Sequence, residues 1–125
     1  LYTVVGSYGI PIIIDTDKNF CIQRHIAILK SSRYIDIYYL KYVLQSELVF
    51  SQATNYATGI AQKTVPLNGL RKIHVPLPPI AEQHRIVAKV NQLMTYCDEL
   101  EAKLTQSLKD KEKLMDTAVY QFLTA

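Results

Sequence analysis

The stretch Val75-Pro76-Leu77-Pro78-Pro79 divides this sequence into two parts that cannot fold alike. A proline fixes its own φ, lacks a backbone donor and disfavours helix in the residue before it, so the chain up to Pro79 has to be extended. Pro79 itself suits the first position of a helix, where an N–H would find no intrahelical acceptor. From Ile80 to Ala125 there is no Gly and no Pro, and Ala, Leu, Lys, Glu and Gln recur throughout. These are strong helix formers. Glu82 falls in the first turn, where a negative charge suits the helix dipole. The sequence thus predicts one helix over residues 79–125, with the prolines acting as a hinge before it.

Hydrophobic spacing says what kind of helix this is. With Val90 at heptad position a, Leu93 falls at d, Cys97 at a, Leu100 at d and Leu104 at a. The seam is interrupted at Ser107 and Lys111 and resumes at Leu114 and Ala118. Val87, Met94, Leu108, Met115 and Phe122 share one adjacent heptad position and widen the stripe. About 40 residues at 1.5 Å each make a rod on the order of 60 Å long. Such a helix cannot bury its stripe against itself and needs a partner helix. Val90, Leu93, Cys97, Leu100, Leu104 and Leu114 are therefore the expected coiled-coil interface, with a homodimer as the expected state of the isolated chain.

Residues 1–78 read differently. Residues 1–5 and 10–14 are strand-like apolar runs on either side of Gly6-Ser7-Tyr8-Gly9, and the Asp15-Thr16-Asp17-Lys18-Asn19 run carries turn chemistry. Residues 20–23 and 25–30 follow as further extended segments, and a loop is expected over 31–33. Asp36 is a plausible N-cap, after which Ile37, Leu40, Val43/Leu44 and Leu48 mark one face of a helix ending near Ala53. Residues 54–59 form a polar, glycine-bearing loop, and 60–75 short irregular or extended structure around Asn68-Gly69. The fold class is α+β: a small mixed α/β domain followed by a long C-terminal coiled-coil helix.

Charge is split along the chain. Residues 1–79 hold eight Lys/Arg against four Asp/Glu, a balance of +4, whereas residues 80–125 hold six against seven, a balance of −1. A basic globular part with a balanced arm suits a polyanion-facing domain on a protein-facing helix. No apolar run approaches the roughly 18 residues needed to span a bilayer, and no signal-peptide pattern opens the chain, so no membrane partner is expected and the compartment is read as the cytoplasm. Cys21 and Cys97 match no metal spacing and read as buried, reduced thiols. Beginning at Leu1 without Met, the sequence reads as a piece of a longer chain, its first domain truncated at the N-terminus.

No catalytic constellation emerges. His25, His74 and His84 are far apart and lack metal-ligand spacing, and Gly6-Ser7-Tyr8-Gly9 is neither a nucleophile elbow nor a phosphate loop. No cofactor is expected. The Gly6–Gly9 stretch, with Ser7 and Tyr8, is either a tight turn or a nucleic-acid-facing loop. Arg24 suits either a phosphate or guanine edge or a structural pairing. Residues 54–63 supply Tyr56 for stacking, Thr58 and Gln62 as donors and acceptors, and Lys63 as a charge, in either a reading loop or a plain solvent loop. Glu82 and Gln83 read as residues that cap or anchor the helix. Tyr34, Tyr38, Tyr39 and Tyr42 cluster at the first helix and read mostly as core or interface.

The run Ile73-His74-Val75-Pro76-Leu77-Pro78-Pro79-Ile80-Ala81-Glu82-Gln83-His84-Arg85-Ile86-Val87 resembles the junction of type I restriction-modification DNA-specificity subunits: short strand, proline pair, Glu-Gln pair, helix start. The Cys97-Asp98-Glu99-Leu100-Glu101 run resembles the helix that follows each target recognition domain there. The Gly6–Gly9 turn, Arg24-His25-Ile26-Ala27-Ile28-Leu29, Tyr38-Tyr39-Leu40 and Gly59-Ile60-Ala61-Gln62 resemble successive blocks of such a domain, in order. The resemblance implies sequence-specific reading of double-stranded DNA by a non-catalytic subunit, with modification (methyltransferase) and restriction subunits as partners. It also implies long helices that pack antiparallel, and it tips Ser7, Tyr8, Arg24, Tyr56, Thr58, Gln62 and Lys63 towards DNA contact. The rival is a pure assembly module, in which the helix binds a partner and the first domain merely caps it.

Overall fold

The computed structural model describes residues 1–16, 18–30 and 32–124; the expectations for Asp17, Ser31 and Ala125 lie outside the described residues. The elements, in chain order, are β1 (Tyr2–Thr3), β2 (Ile26–Ala27), α1 (Ile37–Gln45), α2 (Glu47–Tyr56), α3 (Leu67–Leu70) and α4 (Ile80–Thr124). The class is the expected α+β, mostly helical, with one two-stranded sheet and a long last helix. Contacts divide it into a compact unit Leu1–Val87 and a second unit Ala88–Ala125, so the first two turns of α4 belong with the former.

In the first unit, residues 1–6 are the hub. On one edge Thr3 pairs with the 9–12 segment, donating to the Ile10 carbonyl at 3.1 Å and accepting from the Gly9 N–H at 3.0 Å. On the other edge β1 runs antiparallel to β2, with Tyr2 opposite Ala27 and Thr3 opposite Ile26. Further along that edge the Val65 N–H meets the Val4 carbonyl at 2.8 Å and the Gly6 N–H meets the Lys63 carbonyl at 2.9 Å. The strands are shorter than the apolar runs 1–5, 10–14, 20–23 and 25–30 predict. Pro11 bridges Tyr2 without donating, and the pairing continues to Leu1 and Ile12, which exchange bonds at 2.9 and 2.7 Å; the missing Pro11 donor falls on the outer edge and blunts it. Val4 and Pro11 apart, the remaining apolar residues of those runs are partly exposed, Ile10, Ile12 and Phe20 among them.

The single helix predicted from Ile37 to about Ala53 is two. Ser46 has φ −72° and ψ 152°, outside the helical region. Its hydroxyl donates to the Val43 carbonyl at 2.6 Å and its N–H reaches the same oxygen at 3.1 Å, the local competition by which serine interrupts helices. The Ser46 carbonyl then accepts from Val49 and Phe50 and starts α2. That helix runs through Tyr56, so part of the loop predicted at 54–59 is helical. The irregular stretch predicted over 60–75 contains α3. Asp36 is the N-cap expected, its carboxylate accepting from the Tyr39 N–H at 2.8 Å.

The core joins β1, β2 and the buried sides of α1 and α2: Tyr2, Val4, Ala27, Leu44, Val49, Ala53 and Val65 are buried, with Tyr8, Leu40, Val43 and Val75 packed around them. Of the tyrosines at the first helix, Tyr39 is buried, Tyr42 half-buried, and Tyr34 and Tyr38 exposed. Both cysteines are free and exposed, against the expectation of burial. Cys21 sits in an irregular polar segment, and Cys97 lies on a helix face that this chain does not cover.

In the second unit α4 is solvent-exposed from Asn91 to Leu123. Leu93, Leu100, Leu104, Leu108, Leu114 and Phe122 are all at least half exposed. Its regularity is local, with side-chain bonds one turn apart such as Gln92 to Tyr96 at 3.0 Å and Gln106 to Asp110 at 2.9 Å.

Candidate nucleic-acid interface

Two segments far apart in sequence meet beside the hub strand. Gly6 takes φ +70° and Gly9 φ +97°, which lets the chain reverse within four residues. Thr3 braces the reversal twice: its hydroxyl donates to the Ser7 carbonyl at 2.7 Å and accepts from the Ile10 N–H at 3.0 Å. Against this turn lies the 58–64 loop. Thr58 and Thr64 exchange backbone hydrogen bonds at 2.9 and 2.8 Å, closing the loop at its base. Gly59 has φ +103°, and a Cβ there would lie 2.4 Å from the Gln62 carbonyl oxygen, so only glycine fits.

The two segments touch through Gly6. Its N–H holds the Lys63 carbonyl, and a Cβ on Gly6 would lie 3.2 Å from the Gln62 amide nitrogen. Ser7, Tyr8, Thr58, Gln62 and Lys63 are thus gathered at one place. Ser7, Thr58, Gln62 and Lys63 are exposed there. Tyr8 is half-buried: its ring stacks on Phe50 at 5.5 Å and its hydroxyl bonds the Thr54 hydroxyl at 2.9 Å, which ties the turn to α2. Tyr56 is also half-buried, its Cβ over Gly69, where a methyl group would approach to 2.6 Å. Arg24 is exposed and belongs to a neighbouring segment; the carbonyl of His25 accepts from Val4, the residue whose own carbonyl holds Val65.

The electrostatics are those of free cations. Lys18, Arg24, Lys30, Arg33, Lys63, Arg71 and Lys72 are exposed and Lys41 half-buried, and among the described residues none of them forms an ion pair. Arg33 lies over the Tyr34 ring at 4.8 Å. Among the described residues Arg85 pairs with Glu82 at 2.8 Å on α4, and the His84 ring nitrogen lies 3.6 Å from the Asp36 carboxylate. Among the described residues no three His, Cys, Asp or Glu side chains converge as metal ligands, and no helix is long and apolar enough to cross a membrane.

Residue-by-residue reading missed the groups that hold this surface in shape. Thr3 and Thr64 are ordinary strand residues in sequence, and nothing local marks them as a brace and a clasp. Gln83 was foreseen as an anchor, and the structure gives its partners: it is fully buried, accepts from the Asp36 N–H at 2.8 Å, and donates to the Tyr34 and Pro78 carbonyls at 2.9 and 2.8 Å. Of the expected coiled-coil residues, Val90 is half-buried and Leu93, Cys97, Leu100, Leu104 and Leu114 are exposed along α4.

With a polar loop pinned beside a tight turn and a long amphipathic helix after the prolines on the page, comparison with known proteins supplies the family. The chain belongs to the type I restriction modification DNA specificity domain family, whose profile matches residues 3–110. It is 34% identical over 109 residues to the type I restriction enzyme EcoBI specificity subunit of Escherichia coli, covering 86% of this chain and 23% of that subunit. It is 34% identical over 96 residues to the EcoEI specificity subunit of the same organism, covering 76% and 16%, and 36% identical over 86 residues to the EcoAI specificity subunit, covering 66% and 15%. The chain therefore spans less than a quarter of the length of these relatives. No solved structure matches it significantly.

Proposed function

We propose that residues 1–78 are the closing part of a target recognition domain that reads duplex DNA, and that α4 is a non-catalytic spacer on which modification and restriction subunits dock. The observation that carries this reading is the family match itself, which runs from residue 3 to residue 110 across the loop, the proline junction and more than half of α4. The unpaired cations of the first unit supply phosphate contacts, which position a protein on DNA without reading sequence. Reading falls to uncharged groups on the 58–64 loop and the adjoining turn: Gln62, Thr58 and Ser7, with Lys63 at a phosphate. Arg24, Tyr8 and Tyr56 complete the proposed contact set, the two tyrosines chiefly by holding the surface in shape. A chain that works on the DNA of a prokaryotic cell does so in the cytoplasm.

The test is fluorescence anisotropy of the chain with duplex DNA at several salt concentrations. Each phosphate contact releases a counterion, so log affinity should fall against log salt with a slope of about −0.9 per contact. Lys63→Ala should flatten the slope by about one contact. Gln62→Ala should alter preference among sequences and leave the slope nearly unchanged. If both variants match the wild type in affinity, slope and preference, the loop assignment fails. The exposed stripe of α4 favours a second reading of the isolated chain, assembly through an antiparallel helix pair with another copy. Salt-independent, DNA-free dimerisation would support it.

A further inference from the structure

The proline segment cannot join a sheet, because Pro76, Pro78 and Pro79 have no N–H to offer. Its carbonyls remain strong acceptors and need partners when they face the protein. In extended chain, alternate residues face the same side, and here every second carbonyl from His74 is met by a different side chain. Gln52 donates to the His74 carbonyl at 3.0 Å and accepts from the His74 N–H at 2.8 Å. The Tyr39 hydroxyl donates to the Pro76 carbonyl at 3.1 Å. Gln83 donates to the Pro78 carbonyl at 2.8 Å. Side chains from α2, α1 and α4 thus replace the ladder that prolines forbid.

Gln83 closes this arrangement. All its amide capacity on the donor side is used, one hydrogen on Pro78 and one on Tyr34, while its oxygen takes the Asp36 N–H. Asp36 is also the cap of α1, and its other carboxylate oxygen lies 3.6 Å from His84, early in α4. One buried amide therefore ties together the start of α1, the prolines and the start of α4. Only glutamine supplies two donors and an acceptor at this length: glutamate lacks the donors and asparagine is one methylene short.

We infer that the proline segment is a locked joint and not a hinge, with Gln83 as its closing group, so that the first two turns of α4 come away from α1 only when the whole unit unfolds. The bonds of this joint are all internal to the unit Leu1–Val87, so the inference does not depend on the DNA reading.

Amide hydrogen exchange followed by NMR on the 125-residue chain tests this without DNA. In the wild type the amides of Asp36 and His74, and those of residues 82–87, should exchange as slowly as the core amides of Val49 and Ala53. Gln83→Met keeps the volume and removes the hydrogen bonds; it should accelerate exchange at Asp36 by about ten- to a hundredfold more than at Val49 and Ala53, which register only the loss of stability of the whole unit. Tyr39→Phe removes only the bond to Pro76 and should give a smaller, equally local acceleration. Wild-type Asp36 and His74 amides exchanging as fast as the exposed loop amide of Ile60 would mean a hinge. Equal acceleration of Asp36 and Val49 in Gln83→Met would reduce Gln83 to core filler. Either result overturns the proposal, and the wild-type measurement stands even if a variant does not fold.

Discussion

Tyr2 is the largest fully buried side chain of the core, and its hydroxyl has no hydrogen-bond partner among the described residues. Leaving a buried hydroxyl unsatisfied costs about 1–3 kcal/mol. Tyr2→Phe removes that cost and keeps the ring, with a small loss of packing, so a net gain of about 1 kcal/mol is expected. For a unit of this size, 1 kcal/mol moves the melting temperature by about 4–8 °C. The substitution should therefore raise it by that amount, followed by tyrosine near-ultraviolet signals because α4 dominates helical ellipticity. The same hydroxyl gives a pH signature. Burial, with Tyr8 beside it, raises the Tyr2 pKa above the ordinary 10.0, and burial raises that of Tyr39. In the unfolded chain both ionise near 10.0, while the folded state holds their protons. The stability they contribute is whole below pH 10 and is lost as pH climbs from there through the folded values. Tyr2→Phe should show a shallower alkaline loss than wild type, the residue of it belonging to Tyr39. A variant melting at or below the wild-type temperature would refute the reasoning, since the hydroxyl would then have a partner in solution.

The remaining expectations concern the loop and the helix. Gly59→Ala forces a side chain into φ +103° and against the Gln62 carbonyl. It should cost about 1–3 kcal/mol in chemical denaturation and weaken DNA binding with it. Loss of stability with unchanged DNA affinity would separate the loop from DNA. Leu100 is 65% exposed in the single chain, so Leu100→Asp should leave unit stability alone yet shift any dimer to monomer in sedimentation velocity, an unpaired charge being costly in a desolvated seam. A wild type that sediments as a monomer at tens of micromolar would remove the self-pairing reading. Thiol labelling should be fast at Cys21 and Cys97 in monomer and slowed at Cys97 alone on dimerisation.

How legible the sequence was depends on the range of the interactions involved. The proline junction, the long helix and the Asp36 cap were readable because propensity and short spacing determine them. The break at Ser46 was not, since serine is tolerated in helices and its hydroxyl bond to Val43 decides between two local outcomes. Strand lengths were overestimated because apolar runs such as Ile12-Ile13-Ile14 report burial tendency, whereas a ladder also needs a partner edge, which here reaches only as far as Leu1 opposite Ile12. The exposure of Cys21 and Cys97 ran against composition, which assigns thiols to interiors. For the candidate site, sequence supplied the residue types and the structure supplied their meeting at Gly6. The half-burial of Tyr8 on Phe50 and Tyr56 on Gly69 is a tertiary effect that no spacing rule encodes.

The hub strand has a consequence for how the chain is made. Residues 1–6 are satisfied by the 9–12 segment early, but their other edge waits for β2 and then for residues 63–65. At about 5–20 residues per second, roughly 3–13 s separate the emergence of the first residue from that of Val65. During that interval Tyr2 and Val4 are apolar side chains on an open edge, the kind of surface on which nascent chains stick to one another. Closing such distant pairs is also slow in itself, whereas the contacts within α4 are all local and form quickly. Refolding should accordingly show a fast helical phase and a slower one in which the hub closes.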